Sequence, residues 1–458
     1  MNTKMKKTTL MALSTLALGS GLIPAMGATQ VSAQATKQSN TVAPVTTSEM
    51  LSRMNMAVRY NNLELFKVLK QDSNALLPGL KATEQVRFKQ EVLAKENAVT
   101  LGYLKEKHRR FMGNTEMVTA KEVATFNKEL DAYPVNAPGY QDIQKMKTLF
   151  GYKLAETEYL SMRYLRPLSP SEVATLGKLA NSVEPGMRKS TVMEFNRNKD
   201  GQEVVRIENG IRFAKNFPDK TLIAKIKADT NKLSDETIKR KLVSTIQGLE
   251  KKQKVINSSV LAEGLTQMVS AGKFSRYEVP VYVQDIVAKK LETYKTRNTQ
   301  LYLRTAKTFY GNEVENYAEY ARRYSKNGAT TDRFAIFKSK ANAFEKQTGI
   351  KGDRDMMRFE TMLQESVNRH QMYRLMLADY LSKTEADAIT KIGYDISRSK
   401  GDELQKKVDE SKAQQAKPYI EIYRQFGKKP TDYKRALDKV NEIKTPDIKT
   451  YLLNVLNR

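Results

Sequence analysis

Glu158-Tyr159-Leu160-Ser161-Met162-Arg163-Tyr164-Leu165-Arg166-Pro167-Leu168-Ser169-Pro170-Ser171-Glu172-Val173-Ala174-Thr175-Leu176 reads as the end of one helix, a break, and the capped start of the next. A Ser hydroxyl at a helix start accepts a hydrogen bond from an orphan backbone N–H, and a Glu three residues on reaches back to the cap's own N–H. Pro170 then falls at the first helical position, where its missing N–H costs nothing. A second stretch has the same build: Tyr373-Arg374-Leu375-Met376-Leu377-Ala378-Asp379-Tyr380-Leu381-Ser382-Lys383-Thr384-Glu385-Ala386-Asp387-Ala388-Ile389. Both contain Leu-Ser-x-[Ser/Thr]-Glu.

The match extends outward. At a constant spacing of 213 residues, Asp142 meets Asp355, Ile143 meets Met356, Met146 meets Phe359 and Leu154 meets Val367. Further upstream Phe126, Ala132 and Tyr133 meet Phe337, Ala343 and Phe344. Tyr103-Leu104-Lys105 meets Tyr302-Leu303-Arg304, with Gly113-Asn114 and Gly311-Asn312 behind each. Gln90–Lys95 meets Gln284–Lys289. Downstream, Ile238, Leu242 and Ile246 meet Ile448, Leu452 and Leu456. Self-similarity in fixed order is the signature of a repeat. The expected fold is all-α: two tandem, internally duplicated helical-bundle modules, at 48–254 and 255–458.

One segment departs from the helical habit. Residues 191–196 and 202–207 alternate around Asn198-Lys199-Asp200-Gly201, and Asp-Gly suits a turn needing positive φ. A small β-hairpin at about 191–207 is therefore expected in the first module. In the second half, helices are expected at about 280–310, 313–326, 331–348, 353–381, 384–397, 402–416, 418–427, 431–443 and 446–457. Ser234, followed by Asp235 and Glu236, is expected to start another.

The N-terminus carries an address. Lys4, Lys6 and Lys7 precede an apolar run from Leu10 to Ile23, and Val31-Ser32-Ala33 offers small residues before a cut. Residues 1–33 read as a signal peptide and 34–47 as a polar flexible leader. No later stretch has the apolar length to cross a membrane. The chain has no cysteine, which excludes disulfides, thiol catalysis and lipid attachment through a cysteine. These features point to an exported protein of a Gram-positive bacterium, retained at the cell wall, if at all, by non-covalent contacts.

No catalytic or cofactor motif is present. The two histidines, His108 and His370, do not correspond between the modules, and His108 sits in the cationic run 105–110, read as a solvated helix surface. There is no His-Glu-x-x-His, no Gly-rich phosphate loop and no Gly-x-Ser-x-Gly elbow. Asn196–Gly201 resembles half a calcium loop, but its twelfth position is Ile207 where a bidentate Glu is needed. No metal and no cofactor are expected. Glu172 and Glu385 recur between the modules, and helix capping accounts for both.

Charge is the most informative functional feature: 78 Lys and Arg against 51 Asp and Glu, a net charge of +27. Local groups include Lys105, Lys107, Arg109 and Arg110, and also Lys251–Lys254. Tyr317, Tyr320 and Tyr324 form a helical stripe beside Arg322, Arg323 and Lys326. These Lys105–Arg110 and Tyr317–Lys326 residues are the candidate ligand-binding positions, because Tyr and Arg together stack on sugars or bases and anchor interfaces. The reading is a non-enzymatic binding protein for an anionic surface polymer (wall polyphosphate or glycan) or a host ligand, with two modules able to bind bivalently. The alternatives are a wall hydrolase using a carboxylate pair, and an extracellular nucleic-acid binder acting through charge alone.

Overall fold

The computed structural model describes residues 45–113, 118–163, 165, 168–323, 328–376, 381 and 383–458. The expected signal peptide, most of the leader, and the junction residues Tyr164, Arg166, Pro167, 377–380 and Ser382 lie outside them. Among the described residues the chain forms eighteen α-helices and no strand. The first half holds α1 (Thr47–Arg59), α2 (Leu63–Ser73), α3 (Ala82–Gly113), α4 (Ala120–Asp131), α5 (Tyr140–Met162), α6 (Pro170–Ser182), α7 (Pro185–Asn216), α8 (Lys220–Thr230) and α9 (Glu236–Glu250). The second half holds α10 (Ser258–Gly272), α11 (Val281–Arg297), α12 (Thr299–Arg323), α13 (Thr331–Thr348), α14 (Arg354–Met376), α15 (Lys383–Ile396), α16 (Arg398–Gln425), α17 (Pro430–Asn441) and α18 (Pro446–Asn457).

Most helix starts are written in short polar side chains. Thr46, Asn62, Thr119, Ser169, Asp219, Asn257, Thr330 and Ser397 each accept a backbone N–H from the first turn they precede. Thr119 with Glu122 and Ser169 with Glu172 form the full reciprocal arrangement, with Pro170 opening α6. The cap of α9 is Asp235 rather than Ser234: its carboxylate takes the N–H groups of Thr237 and Ile238.

The hairpin is corrected. Residues 191–207 lie inside α7, a 32-residue helix. Asp-Gly encodes only a local preference. The helical spacing of the residues α7 buries (Ile207, Ile211, Phe213 and Ala214, in the core that α7 shares with α6 and α8) outweighs it. Gly201 then costs about 1 kcal/mol of helix propensity, well below what the buried face returns. The calcium-loop fragment winds around the same helix.

Three boundaries in the second half also differ. The helix expected at 280–310 is broken at Asn298, whose side chain caps α12 by accepting the Leu301 N–H at 3.0 Å. Gly311-Asn312 falls within α12, not after it. The helices expected at 402–416 and 418–427 are one, α16 (Arg398–Gln425), with Pro418 buried inside it. Two of the expected correspondences are out of register: Leu104 is 2% exposed and Leu303 44%, while Gln90–Lys95 lies on α3 and Gln284–Lys289 on α11.

Residues Val45–Arg458 form one compact unit. The main apolar core runs from Tyr159 on α5 to Val367 on α14, so it crosses the expected module boundary at 254/255. A second core joins α1–α3 (Met50, Met54, Phe66, Val92) to α16–α18 (Ile420, Val440, Leu452, Leu456). The Arg53 guanidinium, 3% exposed, meets the equally buried Asp432 carboxylate at 2.8 Å across that core. Glu49 bridges Arg53 and Lys429 at 2.7 and 2.9 Å.

Candidate functional site

The cations near the end of α3 are largely committed to neighbours. Lys105 pairs with Asp142 at 2.6 Å and Lys107 with Glu129 at 2.6 Å, its ammonium also lying over the Tyr103 and Phe126 rings. Arg109 pairs with Glu106 at 2.6 Å. That hydrogen bond, with help from half-buried Arg110, holds the Glu106 carboxyl below its ordinary range. His108 is not solvated as expected. It is half-buried between Phe126 and Phe150, and burial lowers its pKa.

The tyrosine stripe faces inward. Tyr317 and Tyr320 are buried in the main core, where the Tyr320 hydroxyl donates to the Leu160 carbonyl at 3.1 Å. Burial raises the Tyr317 pKa. Arg322 pairs with Glu319 at 3.0 Å. Tyr324, Lys326 and the Arg323 side chain lie outside the described residues. These candidates are therefore split between the core and surface ion pairs, and they do not make one open cationic face.

A half-buried charge cluster lies beside Tyr317. Glu172 accepts from the Ser169 N–H at 2.9 Å and its hydroxyl at 2.7 Å, and Lys340 reaches its other oxygen at 2.6 Å. Burial opposes the charge on Glu172, yet Lys340 and Ser169 prevail and its pKa is lowered. Glu313 is the reverse case. Its nearest cation, Arg276, is 4.0 Å away, one carboxyl oxygen is buried without a hydrogen bond, and burial raises its pKa. A cavity of about 390 Å³ opens beside the start of α6, its lining including Val173, Ile207, Ile226 and Leu233. Arg206 on its wall is spoken for by the Leu168 and Tyr277 carbonyls at 2.8 and 2.7 Å. No described group of His, Asp or Glu has the make-up of a metal site, and no described helix is long and apolar enough to cross a membrane.

An open cationic surface lies elsewhere among the described residues, where α7 ends, α8 begins and the 251–257 connector runs by. The Lys254 N–H donates to the Pro218 carbonyl at 2.9 Å, and the Lys220 N–H donates to the Lys254 carbonyl at 2.9 Å. Buried Asp219 caps α8 by accepting the Leu222 N–H at 2.9 Å, and it also takes the Ile256 N–H at 3.4 Å. These bonds bring Lys220 beside Lys251, Lys252 and Lys254, with Lys215 in the last turn of α7. All five lysines are exposed, and none forms an ion pair among the described residues. The nearby Lys227 is different: it pairs with Glu250 at 2.8 Å. Lys251, Lys252 and Lys254 stand out in the sequence as a group. Their junction with Lys220 does not, because it is made by backbone hydrogen bonds across some thirty residues. The flanking signals are Pro218 and the helix cap Asn257.

Comparison with family models, with curated proteins and with solved structures finds no match to this chain.

Proposed function

We propose that this is an exported, non-enzymatic binding protein that docks on a polyanion at a cell surface, its wall polyphosphate, acidic glycan or lipid headgroups, or on a host ligand of the same charge. The observation that carries the reading is the Lys215–Lys220–Lys251–Lys252–Lys254 patch, five exposed cations held together without carboxylate partners. Such a surface attracts phosphate and sulfate through summed field rather than shaped contacts, so binding is salt-sensitive. The hydrolase alternative needs a carboxylate free to act. Of the two recurring carboxylates, Glu172 has both oxygens occupied, and Glu313 beside it, with one oxygen free of hydrogen bonds, is a single carboxylate and not the pair that this alternative requires.

We further infer that the two halves descend from one helical module. Helix order and length support this: α4 to α9 run in the same sequence as α13 to α18, and α5 and α14 are both 23 residues long. Local chemistry supports it too. Gln202 donates to the Leu168 carbonyl at 2.6 Å, and Gln415, 213 residues on, donates to the Leu381 carbonyl at 2.9 Å. Lys105 reaches Asp142 in the first turn of α5, and Lys307 reaches Asp355 in the first turn of α14, both at 2.6 Å. The lysine patch is not repeated. At the matching helix ends Lys428 donates to the Arg458 carbonyl and Lys429 pairs with Glu49. One polyanion site per chain, rather than bivalent docking, is the reading the surface favours.

Co-sedimentation with washed cell walls tests the proposal. The full chain is expected to pellet at low salt and leave at high salt, and a variant with Lys220, Lys251, Lys252 and Lys254 all changed to Glu is expected to stay in solution. Release of soluble wall fragments by the pure protein would refute the non-enzymatic reading. Equal pelleting of the charge-reversed variant would refute the patch. Retention of DNA with a steep salt slope, and no retention on walls, would favour the nucleic-acid alternative.

A further inference from the structure

The lysine patch has an apolar crest. Val255, directly after Lys254, is 86% exposed, and Val260 in the first turn of α10 is 58% exposed. Most other residues of the connector are polar or basic, and partly buried Ile256 packs on the main core. The crest sits on a firm base: the ring of Phe217 lies so close to α10 that a Cβ on Gly264 would come within 2.1 Å of it. Phe217, just past α7, thus packs on the middle of α10, and the connector is bonded to the Pro218–Lys220 segment that follows it.

We infer that the partner this surface fits is an acidic lipid bilayer, with the lysines at the headgroups and Val255 and Val260 below them. This rests on the charge-borne docking proposed above and narrows its partner. A soluble polyanion rewards the five lysines and leaves the two valines in water. A bilayer surface rewards both, because lysines gain from the negative potential of acidic headgroups while apolar side chains leave water. Entry into the interface also requires that backbone N–H groups carry partners with them. At this crest several do: Lys254 N–H and Lys220 N–H are bonded to carbonyls, Ile256 N–H to Asp219, and Ser259 and Val260 N–H to the Asn257 side chain. The shape is that of a shallow peripheral anchor.

The test uses the full chain, with vesicles of phosphatidylglycerol and phosphatidylcholine, vesicles of phosphatidylcholine alone, and soluble polyphosphate. The wild-type chain is expected to bind the acidic vesicles and not the neutral ones. The Val255→Ser, Val260→Ser double variant changes only exposed side chains. It is expected to bind acidic vesicles about tenfold more weakly, with polyphosphate binding unchanged. Undiminished vesicle binding by this variant, with loss of binding in the Lys→Glu variant, would overturn the lipid inference and leave charge-borne docking standing. Wild-type-like binding of the Lys→Glu variant to both ligands would overturn both. Binding to polyphosphate but not to acidic vesicles would assign the patch to a wall polymer.

Discussion

Gly201→Ala separates the helical α7 from the hairpin that its local sequence advertises, because the two structures predict opposite signs. In the helix Gly201 is exposed, and a Cβ built on it meets no atom within 4 Å. Alanine there adds no clash and removes the backbone freedom glycine loses on folding, a gain of about 0.5–1 kcal/mol. Spread over the roughly 410 residues that unfold, 1 kcal/mol moves the melting midpoint up by only about 1 °C. Chemical denaturation with matched slopes is therefore the sharper assay, supported by slower amide exchange at residues 198–205. In a hairpin, Gly201 would occupy a left-handed turn position and alanine would cost about 1–2 kcal/mol. Gly427→Ala is the internal control, since Gly427 has φ +83° and its replacement should destabilise. A Gly201→Ala chain less stable than wild type would refute the helix.

Asp432→Asn removes one of the two carboxylates that Arg53 pairs with, leaving Glu49 at 2.7 Å, and a loss of about 1.5–3 kcal/mol in denaturant unfolding is expected. Glu313→Gln should stabilise the protein at neutral pH. Burial raises the Glu313 pKa above its ordinary 4.5, so ionisation as pH climbs through the raised value weakens the wild-type fold. The advantage of the variant should vanish once pH falls below about 4.5, and a pH-independent difference in stability would refute it. Gln415→Ala should cost more than Gln202→Ala: the Leu168 carbonyl keeps a second donor in Arg206, at 2.8 Å, whereas Gln415 is the one side-chain donor seen on the Leu381 carbonyl among the described residues. Parallel urea titrations of the two variants would check the order.

Helix starts were the most legible part of the fold. The capping signals at Thr119 and Ser169 act within four residues, and the structure realises both reciprocal bonds. Signals that need a distant partner misled. Asp200-Gly201 says turn until Ile207 and Phe213 find the core. Pro418 says break, although the helix around it is held by packing on both sides. Asn298 ends one helix and starts another with a single side chain, a cue overshadowed by the apolar periodicity of 280–310. The same limit governed the site. Tyr317 and Tyr320 share a stripe with arginines, and helical spacing alone gives their common face without giving what covers it. The lysine patch depends on where Lys220 lands relative to Lys254, and that follows from the tertiary fold.

The core shared by α1–α3 and α16–α18 sets the order in which the molecule can be completed. Arg53 and Asp432 are 379 residues apart in the chain, and the core that Met50, Met54 and Phe66 share with α2 and α3 is completed by α16–α18. During synthesis the first three helices can pack on one another, but one side of their core stays open until α16–α18 have emerged. Contacts of such long sequence separation form late and slowly. The N-terminal segment is therefore the part of the nascent chain most in need of a chaperone, and truncation of α18 would strand it permanently.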